Sequence, residues 1–217
     1  MIVRPATPGK WADTAQKLTL ASARAIKDAG HVGVFRYVGL HWPYPAGSQD
    51  IDLIEAQKIV DDVGLELGFV QHVRGLPPDF LWRPADHDGA ADAGAAVMAV
   101  RAAVGSLNPH VFQDLEAVDG TTGETVGFTL RWGRAIRNSD LHAGLYFGFK
   151  VPLTPQQAFD LPDHDRYWSD PAHHEIAVRG VAIHQGRFNV PLMGVTIDED
   201  VVEPDLLGGL PLIVARA

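Results

Sequence analysis

The stretch VGLELGFVQ, residues 63–71, joins the end of a helical pattern to an apolar run through a glycine. Glycine directly after a helix is the usual left-handed cap, and an apolar run without alternation is typical of a parallel strand buried on both faces. The same junction occurs at residues 29–38 and at residues 104–116. The glycines of the three junctions are 34 and 41 positions apart, about the length of one strand-plus-helix unit.

Helix-start signals precede the strand-like runs. Thr19 opens a stretch in which apolar residues recur on one side as far as Ala29. The pairs Asp52 with Glu55 and Thr121 with Glu124 have the spacing of capping boxes. Residues 88–104 are rich in alanine, as suits a helix that packs closely against a sheet. Helices and strands therefore alternate along the first two thirds of the chain.

Eight strand-like runs can be counted, and this number together with the alternating helices predicts an α/β fold, a (β/α)₈ TIM-type barrel. We expect one compact domain over residues 1–217, with shortened late helices because prolines break the chain after Phe149. The structural alternative is an open doubly wound sheet, but no glycine-rich nucleotide-binding motif follows a strand. The eight runs are Ile2-Val3, residues 32–38, 65–71, 110–116, 141–148, 166–168, 180–185 and 194–198.

Composition excludes several classes of protein. The net charge of −9 argues against a nucleic-acid partner. No stretch at the amino terminus has the length of a signal-peptide core, and the most apolar helical stretch, residues 90–104, is too short to insert into a membrane. We therefore expect a soluble chain that is cytoplasmic or exported by a route without a signal peptide, such as a phage lysis or injection system.

The sharpest local feature is the pair Asp114 and Glu116 at the end of an apolar run. Residues two apart in a strand point to the same face, and two neighbouring carboxylates repel, so one holds its proton to higher pH. A protonated acid beside a carboxylate is what cleavage of a glycosidic bond requires. Alternatively, one carboxylate caps the next helix or pairs with Arg36.

Other polar residues also fall at predicted strand ends, where the chemistry of a parallel barrel is located. Asp198 follows the last apolar run and completes the acidic cluster, unless it belongs to a solvated turn. Trp42 and Tyr44 fit a loop above the barrel, where they stack on sugar rings or pack the loop down. The predicted substrate-binding residues are Arg36, Tyr37, Gln71, Tyr146, Trp168, His184 and Gln185.

The sequence predicts neither a metal nor a cofactor. It has no cysteine, and its ten histidines form no motif with metal-ligand spacing on a regular element. His173 and His174 lie in a proline-interrupted loop and are expected at the surface. A serine nucleophile is not supported either, because no G-x-S-x-G motif is present.

The order of these motifs resembles the glycoside-hydrolase-like barrel domain of bacterial envelope and phage proteins, a relative of the glycoside hydrolase family 25 lysozymes. The resemblance spans about residues 18–200. It implies a barrel that binds or cuts bacterial cell-wall glycan, with Glu116 as the acid, Asp114 as its partner and Asp198 on the last strand. The matching motifs are residues 35–37, 55–56, 63–65, Gln71, 92–93, 114–116, 144–146, 167–168, 183–185 and 194–198.

Two functions remain open at this point. The first is hydrolysis of the β-1,4 links of peptidoglycan; the second is a non-catalytic glycan-binding or structural module. The lysozymes carry an Asp at the end of their first strand, whereas the run at Ile2-Val3 has none and the nearest is Asp13. This difference favours the second function, and the pair Asp114 and Glu116 favours the first. A sugar-phosphate enzyme is a distant third, since no glycine-rich phosphate loop follows the late strands. The oligomeric state is not predicted.

Overall fold

The computed structural model describes residues 1–39, 50–72, 81–171 and 175–217. Within these residues the chain forms eleven strands. They are β1 (Ile2–Pro5), β2 (Gly9–Thr14), β3 (Gly33–Val38), β4 (Glu66–Gln71), β5 (His110–Leu115), β6 (His142–Phe147), β7 (His164–Ser169), β8 (Ile183–Gln185), β9 (Val190–Leu192), β10 (Val195–Val202) and β11 (Leu212–Ala215).

Eight of these strands close into a barrel. Strands β2 to β8 pair in parallel in chain order, and β10 lies between β8 and β2, antiparallel to both. The prediction of an α/β fold with a barrel is confirmed at this level. The prediction of a parallel (β/α)₈ barrel is wrong, because the barrel is mixed. Strand β10 follows the short strand β9 in a hairpin, and a hairpin reverses the chain direction.

The first barrel strand is β2, not the run at Ile2-Val3. That run is β1, which pairs antiparallel with β11 outside the closed barrel. Strand β2 ends two residues after Trp11–Ala12, so Asp13 stands near the carboxyl end of the first barrel strand. The first barrel strand therefore has an aspartate near its carboxyl end.

The described residues form five α-helices, fewer than the eight of a (β/α)₈ barrel. The late helix α5 is only five residues long. Thr19 and Thr121 cap their helices through complete capping boxes. The helices are α1 (Leu20–Asp28), α2 (Leu53–Gln57), α3 (Gly89–Val104), α4 (Thr122–Asn138) and α5 (Pro155–Phe159), and α2 continues into a π-helical turn over Lys58–Val63.

Large aromatic side chains fill the barrel interior below its carboxyl end. Phe35 lies 4.8 Å from both Trp11 and Trp168 between ring centroids, and Phe112 meets Phe35 and Trp168 edge to face at 5.9 Å. Gly68 on the neighbouring strand makes room for Phe35, because a Cβ there would lie 2.2 Å from its ring. These rings form a solid floor, so polar residues above it are held at one open end.

No helix among the described residues has the length and hydrophobicity that a membrane span requires.

Candidate active site

The mouth of the barrel is the end at which β2 to β8 finish and β10 begins. Because β10 runs in the opposite direction, Asp198 near its start lies level with Asp13 near the end of β2, and the two residues are register partners. On β5, Asp114 follows Phe112 of the aromatic floor by two residues and therefore points inward as well. The strands thus bring acidic residues from distant parts of the sequence to one place.

A hydrogen-bonded network crosses this mouth. The Tyr146 hydroxyl donates to Gln185 Oε1 at 2.7 Å. The Gln185 amide donates to Asp198 Oδ2 at 3.2 Å and to Asp13 Oδ2 at 3.4 Å, and the Tyr37 hydroxyl donates to Asp13 Oδ1 at 3.4 Å. Three of the predicted binding residues therefore connect the aspartates of β2 and β10.

Glu116 stands directly after β5, and its backbone is fixed on both sides. Its carbonyl accepts the Trp82 indole N–H at 2.8 Å, and the next residue, Ala117, donates to Phe149 O at 2.8 Å. Gly148 leaves the space that Glu116 occupies, because a Cβ there would lie 2.7 Å from Glu116 Cβ and 2.9 Å from Glu116 Oε2. The side chain is consequently held against the end of β6.

Burial, and then the negative charges of Asp170 and Asp198, raise the pKa of Glu116 to about 7. Among the described residues, no Lys, Arg or His forms an ion pair with Glu116 that would offset these effects. Glu116 therefore holds a proton near neutral pH at the mouth of the barrel, as a general acid must.

Asp114 lies deeper and is buried. It is the register partner of Tyr146 on β6. The charges of both Asp114 and Glu116 act on the hydroxyls of Tyr37 and Tyr146 and, after burial, help to raise the pKa of both tyrosines. The charges of the two carboxyl groups thus act on the same pair of tyrosines, and Asp114 also borders a small cavity shared with Asp92 of α3 and Phe128 of α4.

The pKa values of Asp13 and Asp198 are also raised, so both hold their protons to higher pH than an ordinary aspartate does. Burial and then the charge of Asp198 raise the pKa of Asp13 to about 7, although hydrogen bonds from its neighbours oppose the shift. Burial raises the pKa of Asp198, and the Asn189 backbone N–H, which donates to it at 2.6 Å, lowers it in part. Both aspartates line an open groove of about 250 Å³, together with Thr14, Ala15, Gln16, Tyr37, Asn189 and Thr196.

Three predicted substrate-binding residues point away from the mouth, into or beyond the helix layer. Arg36 is fully buried outside the barrel, where it donates to Glu55 Oε1 at 2.7 Å and to Thr14 O. Gln71 is bonded to the Asp92 carbonyl and the Trp132 indole. His184 is partly exposed on the outer face and pairs with Glu203 at 3.2 Å. The structure does not bring these side chains to the site.

Trp168 lies inside the barrel but below the mouth. Its ring packs against Phe35 and Tyr146, and it is buried. Its indole belongs to the floor on which the polar network rests. Trp42 and Tyr44, predicted to lie above the barrel, and His173 and His174 fall outside the described residues.

Sequence reasoning missed three acidic residues at the mouth or directly below it: Asp13, Asp170 and Asp200. In the sequence, Asp13 is only the aspartate nearest to the run at Ile2-Val3, because β2 shows no apolar run that would mark it as a strand. Asp170 directly follows β7, as Glu116 directly follows β5, so its place in the sequence gives the same signal. Asp200 shares a face with Asp198, because the two residues are two apart on β10.

One group of side chains among the described residues has the composition of a metal site: His110, His142 and Asp165. It lies at the opposite end of the barrel. His110 Nδ1 accepts the Leu212 backbone N–H at 2.8 Å, so Nε2 carries the proton that faces Asp165 Oδ1 at 2.7 Å. A metal at Nε2 would require this proton and the bond to Asp165 to be lost. The arrangement is that of a hydrogen-bonded structural pair.

Comparison with protein families agrees with this architecture. The model of the Rv2525c-like, glycoside hydrolase-like domain family matches residues 24–202. This range begins within α1 and ends at the last residue of β10, so it includes seven of the eight barrel strands. No curated protein matches the chain.

Solved structures of similar fold include proteins from two bacteria and a bacteriophage. The Tat-secreted protein Rv2525c of Mycobacterium tuberculosis, in complex with L-tartrate, is 19% identical with a TM-score of 0.66, over 91% of this chain and 97% of that one. The catalytic domain of endolysin ply40 from the Listeria monocytogenes bacteriophage P40 is 15% identical with a TM-score of 0.58, over 91% and 94%. The lysozyme of Streptomyces coelicolor is 11% identical with a TM-score of 0.62, over 93% and 94%. These likenesses show the fold.

Proposed function

This chain belongs to the Rv2525c-like, glycoside hydrolase-like family, and we propose that its barrel mouth hydrolyses the β-1,4 glycosidic links of peptidoglycan. The observation that carries the proposal is the setting of Glu116. Its carboxyl is held at the mouth, and burial together with the charges of Asp170 and Asp198 raises its pKa to about 7. A carboxyl that is protonated near neutral pH beside other carboxyl groups has the properties of the acid in glycoside hydrolysis.

In the proposed reaction Glu116 donates its proton to the glycosidic oxygen as the bond from that oxygen to the anomeric carbon breaks. The positive charge that develops on the sugar ring is stabilised by carboxylates below it. Water then adds to the anomeric carbon and gives a proton back to the Glu116 carboxylate. The products are a new reducing end and a free hydroxyl group, and the enzyme returns to its starting protonation state.

Asp114 has two possible tasks within this reaction. It either orients the acetamido group of the substrate as an internal nucleophile or supports the charge at the anomeric carbon. Its position opposite Tyr146, among the same tyrosines as Glu116, is compatible with both tasks. Asp198, Tyr146 and Gln185 then position the sugar ring, and Asp13 supplies the carboxylate of the first barrel strand.

Asp13 also bears on the alternative of a glycan-binding or structural module. That alternative drew its support from a first strand without an aspartate, and Asp13 stands near the end of β2, the first barrel strand. The endolysin and lysozyme folds of two structural neighbours support the enzymatic proposal. Cell-wall glycan is the partner that this proposal requires.

The test compares wild-type protein with Glu116→Gln on purified peptidoglycan, measuring reducing ends and co-sedimentation with the glycan. Glutamine keeps the shape of the side chain but cannot deliver the proton, so release should fall about 10²–10⁴-fold while binding is retained. Glu203→Gln is the matched control, because Glu203 pairs with His184 on the outer face and should leave release unchanged.

Asp114→Asn should lower release by less than Glu116→Gln if Asp114 only orients a substrate group. Binding of the glycan without reducing ends from the wild type would reject hydrolysis and leave a binding module. Absence of both binding and release would reject the glycan as the partner.

A further inference from the structure

We propose that Asp200 is a positioning residue, a buried carboxylic acid that donates a hydrogen bond to Asp13 from below and keeps Asp13 as the carboxylate of the groove. The catalytic consequence rests on the proposed function, whereas the protonation of Asp200 does not.

The position of Asp200 follows from the register of β10. Asp200 pairs with Trp11 of β2 on one side and with Gln185 of β8 on the other. It is two residues beyond Asp198 and therefore points to the same interior, but one layer deeper, level with the aromatic floor. Only 1% of its surface is exposed. Solvent therefore does not hydrate this carboxyl group.

The polar atoms around Asp200 are matched as donors and acceptors only if Asp200 carries a proton. Among the described residues, neither Asp200 oxygen nor Trp168 Nε1 has a hydrogen-bond partner, and all three atoms are buried. The Asp13 carboxyl and the Trp168 indole adjoin Asp200. A protonated Asp200 accepts from the indole N–H and donates to Asp13, so one short chain of donors satisfies all of these groups.

The charges around Asp200 also favour its protonated form. Burial first, and then the charges of Asp13 on β2 and Asp198 on β10 itself, raise the pKa of Asp200 well above its ordinary value. The neighbours from β7 and β8, Trp168 and Gln185, are neutral. An ionised Asp200 would be a buried charge beside two other carboxylates, which is far more costly than a neutral acid.

Asp13 gains a third fixed donor from this arrangement. Tyr37 and Gln185 donate to its two oxygens at 3.4 Å, and these hydrogen bonds together with that of Asp200 lower its pKa against the effect of burial. These donors orient the Asp13 carboxyl group from the side and from below, and they favour its ionised form at the groove. Sequence position alone suggests no such role, since Asp198, Glu199 and Asp200 form an ordinary acidic run.

Infrared spectroscopy tests the protonation of Asp200 without requiring any activity. At about pH 9, above the pKa of about 7 for Asp13 and Glu116, Asp200 should still give the carbonyl stretch of a protonated carboxyl. We expect the band in the wild type and in the matched control Asp198→Asn, and its loss in Asp200→Asn. Carbon-13 labelling of aspartate in the wild type should shift the band, which identifies an aspartic acid even if the variant does not fold.

The pH profile of hydrolysis tests the effect on Asp13. Asp200→Asn keeps a neutral donor, so the acid limb should remain in place. Asp200→Ala removes the donor, so Asp13 should lose its proton less readily and the acid limb should move up by about one pH unit. A wild-type spectrum without the band, or a band that persists in Asp200→Asn, would overturn the proposal. The spectroscopic result is the same whether or not the wild type cleaves peptidoglycan, so the two proposals fail separately.

Discussion

The pKa values of acidic side chains are shifted in opposite directions at the two ends of the barrel, the mouth and the closed end at which the parallel strands begin. At the mouth, Asp13 and Glu116 have pKa values raised to about 7 by burial and by neighbouring carboxylates. At the closed end, burial also acts on Asp165, but the hydrogen bond from His110 and the nearby charge of Arg166 outweigh it and lower the pKa to about 2. Glu66 at the same end pairs with Arg4 at 2.5 Å and accepts the Thr7 backbone N–H at 2.8 Å.

The direction of the pKa shift distinguishes carboxyl groups that stabilise the fold from carboxyl groups that are candidates for catalysis. A carboxylate whose only task is to hold the fold together is given a cation or hydrogen-bond donors, as the partly exposed Asp165 and the buried Glu66 are. Among the described residues, Asp13 and Glu116 have no such cation, so their placement lowers stability at neutral and higher pH. Acids that a fold retains at such a cost are strong candidates for chemistry.

Among the substitutions that compare the two ends of the barrel, the largest effect is expected from displacing Glu116 at the mouth without replacing any acidic residue. Gly148→Ala would place a methyl group 2.7 Å from Glu116 Cβ, so the carboxyl must move away from its position. Misplacement of a catalytic group by about 1 Å costs on the order of 10²-fold, and peptidoglycan hydrolysis should fall by about that factor. Initial rates of reducing-end release measure the effect.

The control for this substitution is Gly123→Ala, at a position on α4 where an added Cβ meets nothing within 4 Å. It should leave the rate unchanged. An unchanged rate in Gly148→Ala would show that the position of Glu116 does not govern the reaction.

The second prediction concerns the folding stability that is lost when Asp13 is ionised at the mouth. The folded-state pKa of Asp13 is raised to about 7 from an ordinary value of 3.8, so the folded protein binds this proton more tightly than the unfolded chain does. Stability from this group is complete below about pH 4 and is lost as the pH rises through about 7. Asp13→Asn should therefore raise the free energy of unfolding by about 2 kcal/mol at about pH 8 and hardly change it at about pH 4. Urea denaturation measures both values; destabilisation at about pH 8 would contradict the comparison.

The smallest effect on stability is expected at the closed end, where the pKa of the acidic group is lowered and its removal should destabilise the fold. The pKa of Asp165 is lowered to about 2, so its contribution to stability is present above about pH 4 and is lost as the pH falls toward 2. Because this carboxyl is partly exposed, Asp165→Asn should cost about 1 kcal/mol at neutral pH, a cost that decreases below about pH 4 and vanishes only near pH 2. Hydrolysis should not change. Denaturation curves at the two pH values measure the effect, and a stabilised variant at neutral pH would count against the assignment.

The sequence predicted the order of the elements well because buried parallel strands and capped helices leave strong local patterns. Seven of the eight predicted strand runs correspond to barrel strands. The first did not, because β2 mixes Lys10, Trp11 and Asp13 and shows no apolar run. The direction of β10 could not be predicted, since it depends on the hairpin with β9 and not on the composition of the strand itself.

For the site, strand parity explains which of the predicted residues lie at the mouth and which do not. Asp114 and Glu116 are two residues apart, so a prediction that one of them points inward applies to the other as well. In the structure both lie at the mouth. Arg36 with Tyr37, and His184 with Gln185, are adjacent pairs, so only one residue of each pair can point inward. Tyr37 and Gln185 do so, while Arg36 and His184 point outward. The catalytic roles, the single domain over residues 1–217 and the absence of a metal stay predictions.

The pairing of β1 with β11 determines where other polypeptides can be joined to this barrel. Val214 of β11 pairs with Leu67 near the start of β4, and the Leu212 N–H donates to His110 at the start of β5, so both strands lie at the closed end. Met1 and Ala217 adjoin these two strands. A tag, an anchor or a neighbouring domain fused at either terminus would therefore extend from the side opposite the groove. Tethered in this way to a surface or a larger assembly, the barrel would still present its groove outward to a polymer as large as a cell wall.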